Sequence, residues 1–199
     1  MSTVVMHNVV SVDGYIADEN DEVGPLFEWY FNGDHPLTPG EMDEPWPGGL
    51  RVSKASHDYI RPTWDAIGSM VIGRHLFDMT NGWEGRPPAG EHVVVVSHRP
   101  KPDGWHPEAS YHFVDDVAAA IATAKELAGE RTVAVAAGDV GGQALALGLV
   151  DEVAMDVAPV VLGSGKRYFG SAATQRLLDD PHVFVQGDRV LHLQFRVRR

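Results

Sequence analysis

The chain has 199 residues, of which 44% are hydrophobic and 22% charged, as expected for one soluble globular domain. It contains no cysteine, which excludes disulfides, thiolate nucleophiles and cysteine-ligated zinc. The formal net charge of −12 argues against nucleic acid as a partner, because binding to phosphate backbones requires clustered lysine and arginine.

The N-terminus and the hydropathy pattern predict a cytoplasmic protein with no membrane partner. The first residues lack the basic region and the continuous apolar run of a signal peptide. No stretch approaches the ~18 consecutive apolar residues of a transmembrane helix. No metal site is predicted.

An apolar strand, an irregular stretch and a helix are predicted first along the chain. Residues 3–12 are β-branched and mostly apolar, which indicates a buried strand. An acidic, tryptophan-rich stretch with little periodicity follows at about 20–52, as is typical of a functional loop or an insertion. Ser53 is the expected N-cap of a helix that runs to about Ile67 and that Pro62 should kink or break.

The rest of the chain first alternates between strands and helices and then consists mainly of strands. Asp115 is the expected N-cap of a helix that ends at Gly129, and a glycine-punctuated helix runs to Leu147. This order predicts a single α/β domain over 1–199, with a mostly parallel central sheet, flanking helices and antiparallel C-terminal strands. The strands are expected at 69–73, 92–97, 111–114, 132–138 and 152–162, with a C-terminal hairpin formed by 183–187 and 190–198.

Two of these strands end in residues that suit a phosphate-bearing cofactor, and in an open α/β sheet ligands bind beyond such strand ends. Gly73 lets the backbone turn, and the Arg74 guanidinium matches phosphate oxygens, although this pair taken alone favours the alternative of a strand-ending glycine followed by a surface arginine. Ser97, His98 and Arg99 follow the next strand and suit the 2′-phosphate that distinguishes NADPH from NADH. A solvated loop is the alternative for this second set.

A third strand end carries the sequence Gly138-Asp139-Val140-Gly141-Gly142. Glycines between a strand and a helix permit a pyrophosphate to approach the backbone and the helix N-terminus. The spacing is not that of the G-x-G-x-x-G fingerprint, and a plain helix N-cap is an alternative role for Asp139.

The first strand and the irregular stretch supply candidates for the substrate side. Asp13 precedes Gly14 and either forms an Asx-turn or offers a carboxylate to a substrate hydroxyl or ring nitrogen. Glu28 is a second candidate carboxylate, or an exposed loop residue. The aromatic residues near it either wall a flat heterocycle or pack the insertion. These aromatic residues are Phe27, Trp29, Tyr30 and Trp46.

Taken in order, these segments resemble the reductase domain of riboflavin biosynthesis enzymes, the RibD C-terminal domain family on the dihydrofolate reductase fold. The most specific match is GLVDEVAMDVAPVVLGSGKRYF at 148–169, and the others are SVDGYIA at 11–17, VIGRHLF at 71–77 and VVSHRP at 95–100.

The resemblance implies a dihydrofolate reductase-like three-layer fold. It also implies NADPH-dependent reduction of a heterocyclic or sugar-linked C=N or C=O group, similar to 5-amino-6-(5-phosphoribosylamino)uracil reductase. The three strand-end sets would bind the cofactor. Asp13 would be the first candidate proton donor, with water as the alternative. Substrate binding would fall to Gly14, Glu28, Trp29, Lys166 and Arg167.

The zinc deaminase part of the riboflavin enzymes is absent, because it requires cysteine ligands, and the stretch at 20–52 has no match in them. Two alternatives therefore stay open: reduction of dihydrofolate or another pterin, and a non-catalytic dinucleotide-binding protein. Relatives often pair through their last strands, so a homodimer is expected, with the C-terminal hairpin and the strand at 152–162 as its edge.

Overall fold

The computed structural model describes residues 2–37, 49–171 and 175–198. Their α-helices are α1 (Lys54–Asp65), α2 (Arg74–Thr80), α3 (Val117–Ala128) and α4 (Asp139–Ala146), and 3-10 helices lie at Gly24–Tyr30 and Asn81–Gly85. The strands are β1 (Val4–Ser11), β2 (Tyr15–Ala17), β3 (His35–Pro36), β4 (Arg51–Val52), β5 (Ile67–Gly73), β6 (His92–Val96), β7 (Tyr111–Val114), β8 (Thr132–Ala136), β9 (Glu152–Ala158), β10 (Lys166–Arg167), β11 (Val183–Gln186) and β12 (Leu191–Arg196).

Eight strands form one sheet in the order β11-β12-β9-β1-β8-β5-β6-β7. The run from β9 to β7 is parallel, whereas β12 and β11 are antiparallel to their neighbours. This confirms the predicted α/β fold with a mostly parallel sheet and antiparallel C-terminal strands. The six parallel strands all end at one edge of the sheet, which we call the carboxyl edge.

Helices cover both faces of the sheet, which makes three layers. On one face α3 and α4 pack against the centre of the sheet through residues such as Ile121 and Leu145. On the other face α1 and the 3-10 helix at Gly24–Tyr30 cover β1 and β9, while α2 packs over β5 and β6 through Phe77. On this second face the two helical groups therefore pack against different parts of the sheet.

Ser53 is the N-cap of α1, as predicted: its side chain accepts a hydrogen bond from the Ser56 amide. The expected break at Pro62 does not occur, since the helix continues to Asp65. Pro62 removes only its own N–H hydrogen bond, to the Asp58 carbonyl, and its carbonyl oxygen still accepts from the Ala66 amide at the end of the helix. The N-cap of α3 is Asp116 and not Asp115, because the side chain of Asp116 accepts from the amide three residues later.

The stretch at 20–52 contains the first 3-10 helix and the β3–β4 ribbon in its described part. Trp46 lies outside the described residues. The strand at 152–162 was wrongly expected to offer a free edge, since β9 pairs with β1 on one side and β12 on the other. The outer strand at this end of the sheet is β11. Over the described ranges, no helix combines the length and apolar character needed to cross a membrane.

Candidate functional site

Arg74 begins α2 where β5 ends, and several contacts hold it at the carboxyl edge. Its Nε donates to Asp78 at 2.7 Å, and its Nη1 donates to the carbonyl oxygen of Pro100 at 3.1 Å. The guanidinium also lies 5.5 Å from the centre of the Phe77 ring. Arg74 is therefore a half-buried positive charge fixed between the ends of β5 and β6.

Ser97 and Arg99 complete this cluster at the end of β6. Ser97 Oγ donates to the Arg99 carbonyl oxygen at 2.7 Å and accepts from the Arg99 amide at 3.0 Å, which fixes the turn. Arg99 Nη2 donates to Asp78 at 2.7 Å, although the arginine side chain is 65% exposed. The hydrogen bond from Arg74, joined by the one from Arg99, lowers the pKa of Asp78 despite its partial burial. Because the two arginines share one carboxylate, the cluster keeps one positive charge that is available to an anion. His98 is exposed in the same turn.

The turn between β8 and α4 lets the backbone come close to a ligand. Gly138 has a φ of +95°, which favours glycine, and a Cβ there would meet only the tip of Ile16, at 3.5 Å. Gly141 is packed against the sheet instead, because its Cβ would lie 2.7 Å from the Ala136 carbonyl oxygen. Gly142 continues the helix by donating to Gly138.

Asp139 is the first residue of α4, and the alternative role of N-cap was wrong: the N-cap is Gly138, which has no side chain to bond the helix. The Asp139 carboxylate accepts hydrogen bonds from the Ser171 amide at 2.8 Å and the Ser171 hydroxyl at 2.9 Å. The first-turn N–H groups of Val140 and Gly141, which lack partners within a helix, are therefore not capped by this carboxylate.

The ends of β5 and β8 lie against each other. A Cβ on Gly73 would approach the Val140 side chain to 3.2 Å, so glycine allows the start of α4 to lie beside the end of β5. The structure therefore brings the arginine cluster and the Gly138 turn together along one part of the carboxyl edge.

Asp13 holds the turn after β1 against the segment after β9. Its carboxylate accepts from Ser11 Oγ at 2.6 Å, from the Leu162 amide at 3.1 Å and from the Gly163 amide at 2.7 Å. The bond from Ser11, with support from the two amides, lowers the pKa of Asp13. Gly14 has a φ of +91°, and its amide donates a hydrogen bond to the Ser11 carbonyl oxygen, which closes the turn. This environment favours the ionised carboxylate, which makes Asp13 a poor proton donor near neutral pH.

Lys166 and Arg167, the basic pair predicted to bind the substrate, form β10, which pairs antiparallel with β2. Lys166 Nζ lies 3.5 Å from Asp21, whose other oxygen lies 3.0 Å from His75 at the start of α2. Arg167 is exposed. Tyr168 then links this segment to both neighbouring turns, since its carbonyl accepts from Gly138 and its amide donates to Gly14.

Glu28 and Trp29 lie on the 3-10 helix that packs against β1 and β9. Glu28 is exposed and lies 3.6 Å from the Arg189 guanidinium. Trp29 is 1% exposed and stacks on Tyr30, with ring centres 3.8 Å apart. Packing, the alternative given to these aromatic residues, therefore accounts for Trp29.

A histidine–carboxylate network missed by sequence reasoning lies on the α1 side of the sheet. Asp156 on β9 is 2% exposed, and its carboxylate lies 2.8 Å from His7 Nε2 on β1 and 2.6 Å from His192 Nδ1 on β12. His192 Nε2 in turn lies 2.9 Å from Ser56 Oγ on α1. The available signal was a charged residue at an inward-facing position of each apolar strand.

The charges in this network stabilise each other. Burial alone would raise the pKa of Asp156, but the charge of His7 and the hydrogen bonds from both histidines lower it well below its ordinary range. Burial alone would lower the pKa of His7, but the Asp156 charge and hydrogen bond outweigh that effect and raise it. The side chain of His7 is 33% exposed, so this imidazole, whose pKa is raised, also remains accessible.

His7 and Asp156 line a cleft of about 220 Å³ between α1 and the sheet. Apart from this pair, the lining consists of apolar, aromatic and uncharged polar side chains. From the sheet these are Val5, Ile67, Thr132, Ala134, Ala154 and Gln194, and from α1 and its end they are Tyr59, Ile60, Thr63, Trp64 and Ala66. No group of three or more histidine, aspartate or glutamate side chains in the described part of the chain is arranged to hold a metal ion.

Fold and site define an α/β protein with a positively charged carboxyl edge and a separate cleft between α1 and the sheet. The chain belongs to the RibD C-terminal domain family, whose model matches residues 2–192. A comparison with curated proteins finds no match.

Solved structures share the fold at low sequence identity. A protein from Shewanella sp. PV-4 assigned to riboflavin biosynthesis has a TM-score of 0.68 and 19% identity, with both chains fully covered. A pyrimidine reductase-like protein from Corynebacterium diphtheriae has a TM-score of 0.60 and 13% identity over 100% of this chain and 92% of the other. The Thermotoga maritima diaminohydroxyphosphoribosylaminopyrimidine deaminase/5-amino-6-(5-phosphoribosylamino)uracil reductase has a TM-score of 0.60 and 12% identity. The match covers 99% of this chain but only 57% of that longer protein.

Proposed function

We propose that the chain is a cytoplasmic NADPH-dependent reductase that acts on a heterocyclic or sugar-linked C=N or C=O group. The observation that carries the proposal is the Arg74–Asp78–Arg99 cluster, placed beside the Gly138 turn at the carboxyl ends of parallel strands. Open α/β sheets bind their ligands at this position. Family membership supports the reductase chemistry, and a relative of similar fold is named a uracil-derivative reductase.

The residues at the carboxyl edge fit a phosphate-bearing dinucleotide. At Gly138 a Cβ would meet only the tip of Ile16, and the N–H groups that follow this turn suit a pyrophosphate. Arg99 is the more exposed of the two arginines and would bind the 2′-phosphate, with Ser97 fixing the turn that carries it. When bound, the reduced nicotinamide supplies a hydride, and the protein orients the acceptor and limits the access of water.

The substrate side of the proposed site combines β10 with the turn after β1. Arg167 is exposed beside Lys166, and the two would bind an anionic group such as the phosphate of a sugar-linked substrate. Asp13 would act by holding the turn at Gly14 and the segment at Gly163 in place. The cationic pair supports a substrate that carries an anionic group, and the named activity of the Thermotoga maritima relative supports a heterocyclic one.

Arg99→Ala should weaken NADPH binding far more than NADH binding, because only NADPH carries the 2′-phosphate. Loss of a charge-assisted pair corresponds to about 1.5–3 kcal/mol, or roughly a 10- to 100-fold higher Kd. Titration of nicotinamide fluorescence with each cofactor measures the effect, and Arg189→Ala serves as a control for the loss of an exposed arginine elsewhere. Equal weakening of both cofactors would contradict the placement of the 2′-phosphate.

Consumption of NADPH with 5-amino-6-(5-phosphoribosylamino)uracil as acceptor tests the reaction itself. Oxidation of the cofactor that depends on this acceptor is expected for a reductase. Tight NADPH binding with no turnover of pyrimidine, pterin or carbonyl acceptors would identify a non-catalytic dinucleotide-binding protein instead.

A further inference from the structure

Reduction of a C=N or C=O group requires a proton at the heteroatom as well as a hydride at carbon. Asp13, the first candidate donor, is bound as a carboxylate by a hydroxyl and two amides. A carboxylate that accepts three hydrogen bonds is held in its ionised form. The proton must therefore come from water or from a different side chain near the carboxyl edge.

His7 lies where the cleft under α1 approaches the cofactor turn. Of the two β1 residues that line the cleft, Val5 and His7, His7 is the one nearer the carboxyl edge. Its carbonyl oxygen accepts a hydrogen bond from the Ala137 amide at 3.2 Å, and Gly138 follows directly. His7 pairs in register with Ala136, the last residue of β8, so a ring bound against the His7 side chain lies at the level where β8 ends.

The hydrogen bonds around His7 orient its ring for donation. With Asp156 ionised, its two oxygens accept from His7 Nε2 and His192 Nδ1. His192 Nε2 then accepts from Ser56 Oγ, which itself accepts from Ser53 Oγ at 3.2 Å. A carboxylate that binds one nitrogen of an imidazole fixes its orientation and stabilises the protonated ring. The second nitrogen of His7, Nδ1, has no hydrogen-bond partner within the described ranges, and in the protonated ring it carries a proton that can be donated.

We propose that His7 is the proton donor of this reduction, that Asp156 and His192 are its positioning residues, and that the cleft under α1 holds the reacting ring. The inference rests on the proposed reductase function. The double bond of the acceptor is lost as hydride from the reduced cofactor forms the new C–H bond. The heteroatom takes the proton from His7 Nδ1, and His7 then regains a proton from water.

The groups that face His7 leave Asp156 as its main electrostatic partner. From β9 it meets Asp156, and Glu152 lies farther along the same strand, where it accepts a hydrogen bond from Gln194. From β12 the ionisable neighbour is His192, and from α1 it is Tyr59, whose phenol has a pKa raised by burial and stays neutral. The β8 residues in the cleft are uncharged.

The size of the cleft indicates a single ring. An apolar cavity of ~150 Å³ is known to hold benzene, so about 220 Å³ accepts one six-membered heterocycle but not a fused pair with its substituents. Thr63, Thr132 and Gln194 add uncharged polar groups to its wall. This combination fits a pyrimidine whose ring substituent extends out of the cleft.

Uracil serves as the probe for ring binding, observed through the histidine ring resonances, with the His7 signal assigned from His7→Gln. We expect saturable uracil-dependent shifts of His7 in the wild type and their loss in Ala134→Leu, which fills the cleft from β8. Both variants should keep the wild-type Kd for NADPH. A His7 resonance whose chemical shift does not change on addition of uracil would overturn the assignment of the cleft as the ring-binding site. An equal shift in Ala134→Leu would overturn it as well.

Turnover of 5-amino-6-(5-phosphoribosylamino)uracil tests the proton transfer. His7→Gln keeps a donor for Asp156 but cannot titrate, so kcat should fall about 100-fold or more while KM changes little. The decline of wild-type kcat as pH rises through the pKa of His7 should be absent in the variant. His106→Gln removes a comparable histidine–carboxylate pair, 2.9 Å from Glu84, and should leave kcat unchanged.

The outcomes separate the two proposals. If the wild type binds no NADPH, the reductase proposal fails, whether or not uracil shifts the His7 resonance. If NADPH is bound and the acceptor is reduced, but His7→Gln retains its kcat and pH profile, the reductase proposal stands and His7 is not the donor. Asp156→Asn gives an independent readout, since the pKa of His7 should fall below that of the wild type. An unchanged pKa would contradict the positioning role of Asp156.

Discussion

The buried Asp156 carboxylate and the half-exposed His7 imidazole make stability depend on pH in opposite directions. The pKa of Asp156 is lowered in the fold, so its stabilisation is present above the ordinary value of 3.8 and lost as the pH falls through the lowered pKa. The pKa of His7 is raised, so its stabilisation is complete below the ordinary value of 6.5 and lost as the pH rises through the raised pKa. The pair therefore stabilises the protein most between about pH 4 and 6.5.

Urea unfolding of the wild type and His7→Gln measures this dependence. The difference in free energy of unfolding should be largest below pH 6.5 and shrink as the pH rises through the raised pKa of His7, because the imidazole is then neutral in both states. His106→Gln provides the comparison for a histidine on the other side of the molecule. A pH-independent difference would mean that His7 stabilises the fold through packing and not through its charge.

Residues at strand ends could be predicted from the sequence, while the buried network could not. Glycine and arginine after an apolar run mark the end of a parallel strand, and all such ends meet at one edge, so Gly73, Arg99 and Gly138 could be grouped in advance. His7 and Asp156 are separated by 149 positions, and their contact depends on the pairing of β1 with β9. Sequence spacing carries no information on that register.

Two helix caps allow a prediction at the scale of elements. Ser53 and Asp116 each accept a hydrogen bond from the third residue of α1 and α3, and replacement by alanine should cost about 0.5–2 kcal/mol of unfolding free energy. Ser53→Ala should cost more within this range, because Ser53 Oγ also contacts Ser56 Oγ and the Asp188 amide. Chemical denaturation measures both values.

Asp115→Ala is the matched control for Asp116→Ala. Asp115 lies one residue before the cap and is exposed, so its loss should change the unfolding free energy by less than about 0.5 kcal/mol. Equal losses at the two positions would show that general charge near the helix N-terminus, and not the side-chain hydrogen bond, stabilises α3.

Element types followed from hydrophobic periodicity, and the errors lie at element ends. Asp115 and Asp116 are chemically identical candidates, and only the direction of the chain entering α3 decides which of them reaches the amide of Ala119. At α4 the cap position falls on Gly138, because Asp139 is drawn to Ser171 by a contact far along the chain. Local sequence preferences cannot resolve choices made by tertiary contacts.

For the molecule as a whole, the alternation of strands and helices up to about residue 150 was sufficient to predict a parallel sheet between helices. The position of the last strands was not predictable in the same way. Strand β12 pairs with β9, so β9 is an interior strand of the sheet. Strand β11, which pairs only with β12, is the outer strand at this end. The chain order of a hairpin does not reveal which of its two strands joins the sheet.

This arrangement makes β11 the candidate edge for the predicted homodimer. Phe184 on β11 is 67% exposed, and an outer strand with an exposed aromatic residue favours pairing with another strand. Sedimentation should show a dimer for the wild type and a monomer for Phe184→Lys, because a charge on an edge strand opposes such pairing. Leu147→Lys changes an exposed apolar residue at the end of α4 and should leave the dimer intact. A dimer that survives Phe184→Lys but not Leu147→Lys would place the interface on the α4 side of the molecule. A monomeric wild type would contradict the predicted homodimer itself.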